Sequence, residues 1–256
     1  MHEELRNEII SLLSKQVRLD GRKPDQYRNI SIETGVSKNA EGSARVKIGE
    51  TEVIAGVKME VMTPYPDTPD QGSLMVNVEL YPMSSPEFES GPPDSYSIEL
   101  ARVTDRGIRE SKCIDTKKLC IKEGEKAWTV VIDVCTMNDS GNLFDAISLA
   151  ATAALKSAVF PTFDGEKIDY KHKTDKKIPL NKLPVTVTVF KYGNHLMIDP
   201  TNEEDKIYDS RLTVSVLENG NICSLQKGGN EAVTQDDAIR MIELAREKSK
   251  ELRKHI

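Results

Sequence analysis

Apolar residues fall at helical spacing near the start of the chain. Leu5, Ile9, Leu12 and Leu13 are separated by polar positions, which predicts an amphipathic helix over residues 3–16. A charged turn follows, Arg18-Leu19-Asp20-Gly21-Arg22-Lys23-Pro24, and the period then changes. Ile30 and Ile32 mark a short segment. Ala44, Val46 and Ile48, then Val53, Ala55, Val57 and Met59, alternate on either side of Gly49-Glu50. Alternation about a glycine turn predicts a β-hairpin with one buried face. Leu74, Val76, Val78 and Leu80 predict a further strand. The Pro- and Gly-rich stretches at 63–70 and 82–93 read as surface loops.

A second helix is predicted over 94–112, with Asp94 or Ser95 as its N-cap and Ile98, Ala101 and Ile108 among its apolar positions. Residues 118–121 and 128–137 are β-rich. Residues 143–158 are apolar on nearly every face and rich in alanine, the pattern of a core helix that approaches a sheet closely. Residues 159–184 are polar and contain Lys171, Lys173, Lys176 and Lys177, and they read as an exposed connection. Val185, Val187 and Val189 alternate, as do Leu212, Val214 and Val216. The latter lead through Asn219-Gly220, a favoured type I′ hairpin signal, to Ile222 and Leu225. His195 reads as a turn residue. The final helix spans about 234–255, capped by Thr234, with Asp236 and Asp237 in its first turn. Its stripe is Ala238, Met241, Ile242, Ala245 and Leu252. Strands joined mainly by hairpins and covered by helices make an α+β chain, read as a single domain over 1–256.

Composition narrows the function. The formal net charge is -6, whereas a chain that binds free nucleic acid by itself is usually basic. Any RNA contact must then be a local basic patch. No apolar stretch approaches a membrane span, and the start of the chain lacks the apolar run of a signal peptide. A cytoplasmic location is expected. Cys113, Cys120, Cys135 and Cys223 form no CxxC pair, and His2, His172, His195 and His255 have no ligand spacing. No metal or cofactor is expected. The chain lacks a GxxxxGK[ST] loop, a strand-linked GxGxxG and a GxSxG elbow.

Two features retain chemical interest, each with two readings. Asn202-Glu203-Glu204-Asp205 is either an acid–base or cation-binding cluster, or a solvated acidic loop. Arg102, Arg106 and Arg109 lie at i, i+4 and i+7 of the predicted helix and so share a face. They either bind phosphates or pair locally, Arg102 with Glu99, Arg106 with Glu110 and Arg109 with Asp105.

Five ordered motifs carry a resemblance. Arg18-Leu19-Asp20-Gly21-Arg22, Gly42-Ser43-Ala44-Arg45-Val46, Gly49-Glu50-Thr51-Glu52-Val53-Ile54, Ser140-Gly141-Asn142 and Asp199-Pro200-Thr201-Asn202-Glu203-Glu204-Asp205 resemble the RNase PH family along essentially the whole chain. Arg102-Val103-Thr104-Asp105-Arg106 and Trp128-Thr129-Val130 look most like the non-catalytic RNase PH-like subunit of archaeal exosomes. The resemblance implies an RNase PH-type fold. It also implies phosphorolysis of RNA from the 3′ end by active members, which carry a phosphate loop with an arginine and an Asp-x5-Asp pair. Here the pair reads Asp205 and Arg211, and Leu143 stands at the arginine position. The chain is therefore expected to be non-catalytic. It would alternate with a catalytic homologue in a ring of three heterodimers, with RNA-binding cap proteins, and contact single-stranded RNA through Arg102 and Arg106. The alternative is an active phosphorolytic exoribonuclease in which Asp205 and Asp209 replace the usual pair. A stand-alone RNA-binding module is a third reading, disfavoured by the acidic charge.

Overall fold

A computed structural model describes residues 2–256. Met1 and the side chain of His2, the first positions of the charge-alternating start, lie outside the described part. Helix α1 (His2–Ser14) buries Ile9 and Leu13 against Phe190, Tyr192 and Met197, forming a small separate core. The predicted hairpin follows a short strand, β1 (Ile30–Thr34). It is β2 (Gly42–Ile48) and β3 (Thr51–Met62), antiparallel from Ile48↔Thr51 to Gly42↔Val57. Every second residue of β3 from Thr51 to Met59 is buried, as the alternation requires.

Strand β4 (Ser73–Glu79) precedes α2 (Ser95–Glu110). Asp94 is the N-cap, its Oδ1 accepting the Ser97 N–H at 2.7 Å. Leu100, Val103 and Ile108 form the buried face of α2, but Ile98 points outward and is 47% exposed. The β-rich segment at 118–121 begins instead as a 3₁₀ turn, Thr116–Leu119, before β5 (Cys120–Lys122). Long β6 (Lys126–Asn138) lies antiparallel to β3 and parallel to β4, giving the order β1-β2-β3-β6-β4 with β5 on β6.

Helix α3 (Leu143–Ser157) is buried from Leu143 to Leu155. It packs on β2, β3 and, in the second sheet, β9 (Val185–Tyr192). Close approach depends on Gly42, where a Cβ would lie 2.4 Å from the Ala154 carbonyl oxygen.

The segment expected to be an exposed connection contains a two-stranded hairpin, β7 (Val159–Phe163) and β8 (Ile168–Lys177). Nearly all of β8 is exposed, so the period-2 signal of a half-buried strand is missing. Lysine side chains tie it down: Lys173 Nζ donates to the Ala40 carbonyl, Lys176 Nζ lies 5.2 Å from the Phe160 ring, and Lys58 Nζ lies 4.2 Å from the Tyr170 ring.

After β9 come β10 (His195–Ile198), α4 (Asn202–Asp205), β11 (Ser210–Val216) and β12 (Ile222–Gly228), with sheet order β10-β9-β11-β12. His195 opens a strand, opposite Tyr192, and is not in the turn. The β11–β12 turn is not type I′, which needs two residues at positive φ. Gly220 has φ +81° while Asn219 does not, and the Gly220 N–H donates to Leu217 O at 2.9 Å. Helix α5 (Gln235–Leu252) packs on β9 and β11. The Thr234 hydroxyl accepts the Asp237 N–H at 3.1 Å. One large apolar core draws on both main sheets, α2, α3 and α5.

Candidate functional site

The acidic stretch is a short capped helix. The Thr201 N–H donates to Glu204 Oε2 at 2.8 Å, and the Thr201 side chain accepts in return. Glu204 is buried and ion-paired with buried Arg18, whose guanidinium also donates to Ile198 O (3.0 Å) and Asp199 O (2.8 Å). The solvated-loop reading is thus overturned for Glu204. Asp199 stands at φ +48° and serves as a second tie point. Its carboxylate accepts from Arg22 (2.8 Å), Arg28 (2.7 Å) and Asn142 Nδ2 (2.9 Å). Burial works to raise the Asp199 pKa, but Arg28 and Arg22 outweigh it and hold it below the ordinary value. These partners come from the Arg18–Arg22 motif and from Arg28, far away in sequence. The acidic and N-terminal motifs therefore form one polar assembly.

Asp205 is partnered differently. It accepts one long bond, 3.4 Å, from the Asn142 N–H. Burial, with Asp139 nearby, pushes its pKa up to about 6 against the pull of the Asn142 N–H, Arg211 and Arg28. Asp139 is itself raised by burial. Asp209 does not join Asp205: it accepts from Arg6 at 2.8 and 3.0 Å and from the Gly193 N–H at 2.5 Å.

At the position of the second carboxylate, Arg211 is 3% exposed. Its Nη2 pairs with Glu99 of α2 at 2.7 Å, its Nε donates to Tyr208 Oη at 3.3 Å, and its Cζ lies 3.9 Å from the centre of the Phe144 ring. Nη1 is buried without a hydrogen-bond partner among the described residues. Gly228 faces it across the β11–β12 ladder, and a Cβ there would come within 2.5 Å of Cζ.

The loop entering α3 is fixed by Gly141 and Asn142. Gly141 has φ +89°, and a Cβ would lie 2.4 Å from Pro200 O. Asn142 caps α3 from the left-handed region, its Nδ2 bonded to Asp199 and Asp145. Leu143 is 1% exposed and belongs to the apolar core. The loop that would cradle an anion thus carries an apolar residue at its arginine position.

The arginine face of α2 is open. Arg102, Arg106 and Arg109 line a groove of about 330 Å³ with Val76, Ala101, Asp105 and Glu110. Arg102 is exposed and makes no side-chain hydrogen bond or ion pair among the described residues, while Arg106 Nη1 donates only to the neutral Gln226 side chain at 3.0 Å. Arg109 is occupied by both Asp105 oxygens, at 2.7 and 3.0 Å, and by Leu74 O at 3.0 Å. Of the three local pairs considered from spacing, only Asp105–Arg109 forms. Glu99 turns instead to Arg211.

Sequence reasoning missed Glu99, Phe144, Tyr208 and Gln226. A glutamate one turn before an exposed arginine reads as its helical partner, and no local pattern assigns it to a residue on β11. No described helix is long and apolar enough to cross a membrane.

The chain matches the 3′ exoribonuclease family, domain 1, over residues 26–161 and domain 2 of the same family over residues 182–248. It is 45% identical over 253 residues to the exosome complex component Rrp42 of Methanothermobacter thermautotrophicus, covering 98% of this chain and 93% of that protein. With the component of the same name from Methanocella arvoryzae the identity is 47% over 251 residues, covering 98% and 95%. A chain of the Archaeoglobus fulgidus exosome with RNA bound to the active site superposes with a TM-score of 0.90 at 42% identity, covering 99% of this chain and 98% of that one. The Arg18 and Asp199 ties hold the N-terminal motif against the second of these matched segments, and the agreement runs through both. The chain belongs to the RNase PH-type 3′ exoribonuclease family.

Proposed function

We propose that this chain is a ring-forming, non-catalytic exosome subunit that holds single-stranded RNA for a catalytic homologue beside it. Its relatives bear the name of an exosome component, and a solved relative is an exosome with RNA at its active site. The observation that carries the reading is Arg211. In phosphorolysis, phosphate attacks the phosphorus of the 3′-terminal linkage, the bond to O3′ breaks, and O3′ takes up a proton as a nucleoside diphosphate leaves. A carboxylate pair placed near the leaving oxygen positions a proton or a cation. Here the second position holds a permanent cation within electrostatic reach of Asp205 and already committed to Glu99 and Phe144, and an arginine neither accepts a proton nor binds a metal ion.

The chain's positive contribution is the α2 face. Arg102 and Arg106 offer guanidiniums that no acidic side chain among the described residues pairs with, suited to bidentate phosphate contact. Because the whole chain is acidic, this contact becomes strong only where a second subunit closes the groove. The working form is a ring of three heterodimers with a catalytic paralogue, capped by RNA-binding proteins, in the cytoplasm.

The test is reconstitution. The purified chain, given RNA, phosphate and a divalent cation, releases no nucleoside diphosphate; mixed with its catalytic homologue it forms a ring that trims RNA from the 3′ end. Diphosphate release by the chain alone overturns the reading. So does loss of turnover on Asp205→Ala in a ring that still assembles.

A further inference from the structure

We propose that Arg211, standing where active relatives carry the second carboxylate, is a positioning residue for the RNA-contact face of α2. The inference rests on the proposed RNA contact by Arg102 and Arg106. Glu99, the partner of Arg211 at 2.7 Å, lies on α2 three residues before Arg102 and seven before Arg106. Residues at that spacing share a side of the helix, so the tie acts on the turn that leads into the arginine pair.

The cation is held from below as well. Its Cζ lies 3.9 Å from the centre of the Phe144 ring, at the first turn of α3, and Tyr208 Oη accepts from its Nε at 3.3 Å. The guanidinium packs against β12 because Gly228 has no side chain. Two residues earlier on β12, Gln226 receives Arg106 Nη1 at 3.0 Å. Arg211, through Glu99, and Gln226, through Arg106, therefore connect α2 to the β11–β12 ladder at two points.

Stability alone does not require a cation here. A buried ion pair is often replaced by apolar side chains without loss, and Arg211 leaves Nη1 unpartnered. An apolar residue would fill the same volume but would not fix the direction of Glu99. A charged, forked side chain fixes that direction, and so the azimuth at which α2 presents Arg102 and Arg106. The position that serves chemistry in active members here serves substrate placement.

The test uses the assembled ring with its catalytic homologue and measures RNA KM and kcat separately, at a temperature where each variant is folded by circular dichroism. Arg211→Met is expected to raise KM by about 5–30-fold with kcat unchanged. Glu99→Gln removes the charge of the same tie from the other side without a volume change and is expected to raise KM in the same direction, which keeps the test decisive if Arg211→Met fails to assemble. Arg211→Lys keeps the charge without the fork and should fall between. Added to Arg106→Ala, Arg211→Met should give less than the sum of the two effects. A lowered melting temperature with unchanged KM in Arg211→Met and Glu99→Gln, while Arg106→Ala raises KM, shows a purely structural residue and overturns the proposal. Unchanged KM in Arg106→Ala and Arg102→Ala as well overturns the RNA-contact reading itself.

Discussion

The carboxylate pocket around α4 and the arginine face of α2 are both rich in charge, but they handle it in opposite ways. In the pocket, Glu204 is met by Arg18, Asp199 by Arg22 and Arg28, Asp209 by Arg6 and Arg211 by Glu99. These groups are mostly buried, and a buried charge persists only when it is paired. On α2, Arg102 has no partner among the described residues and Arg106 has only a neutral amide. Solvent supports those charges without help. Internal pairing marks charge used to build the fold; exposed cations left uncompensated on an acidic chain mark charge available to an anion.

The strongest way to break the comparison is to remove a pairing inside the pocket. Arg18→Met leaves Glu204 buried without its counterion and releases the carbonyls of Ile198 and Asp199. The expected loss is about 3–5 kcal/mol, seen as a large fall in the thermal unfolding midpoint. A change of less than about 1 kcal/mol would show that the pocket's pairing does not hold the fold, and would erase the contrast.

Next in size is the opposite experiment on the open face. Arg102→Ala with Arg106→Ala should leave stability within about 0.5 kcal/mol, since neither side chain pairs with an acidic group among the described residues. In the assembled ring the pair should weaken RNA binding by about 10–100-fold, as expected for loss of charge-assisted hydrogen bonds. The slope of log K against log salt should become shallower by about 0.7 for each phosphate that the ring no longer neutralises. Filter binding over a salt series checks both. Dissociation of the ring would instead identify these arginines as assembly contacts.

These expectations rest on partnerships that were unequally legible. The β2–β3 hairpin and helix α3 could be read directly, because their residues face one continuous core and local period reports that directly. The β7–β8 hairpin could not: β7 buries Phe160 in the main core, but β8 is nearly all exposed and is held by backbone bonds and lysine stems, so no period-2 signal marks it. At the site, the substitution at Arg211 was visible as a broken motif. Its replacement partners were not: Glu99 and Phe144 lie on other helices, and only the fold brings them to β11. Likewise local pattern leaves Glu204 between an acid–base or cation-binding cluster and a solvated loop, because Arg18 is distant in sequence. Local pattern reports which face is apolar; it does not report which distant charge a buried charge meets.

A smaller effect sharpens the account of Asp205, the pocket's least satisfied carboxylate. Its native pKa of about 6 lies above the ordinary 3.8, so the native state retains a proton that the unfolded chain has released. Stability contributed by this group is present below 3.8 and lost as pH rises through about 6. Asp205→Asn mimics the protonated form. It should stabilise the fold by about 1 kcal/mol at neutral pH, allowing for solvent screening of a partly exposed group, and the gain should vanish under acidic conditions. Thermal melts across pH measure the gap, and a gap that widens on acidification has the wrong sign.

The smallest effect is the sharpest control, because it lies on the same helix as the open pair. Arg109 carries the same charge as Arg102 and Arg106 and lines the same groove, yet Asp105 holds it through two hydrogen bonds. If charge alone drew RNA to this face, Arg109→Ala would weaken binding as much as Arg106→Ala. If availability decides, the loss should stay below about twofold and the salt slope should not change, because the Asp105 pairing already neutralises the cation. Stability should fall by only about 0.3–0.5 kcal/mol, the ordinary worth of an exposed i,i+4 pair. The companion variant Asp105→Asn frees Arg109 without removing it, and it should strengthen RNA binding in the ring. Charge on α2 would then act according to whether the chain has already paired it, the same rule that separates this face from the paired charges around α4.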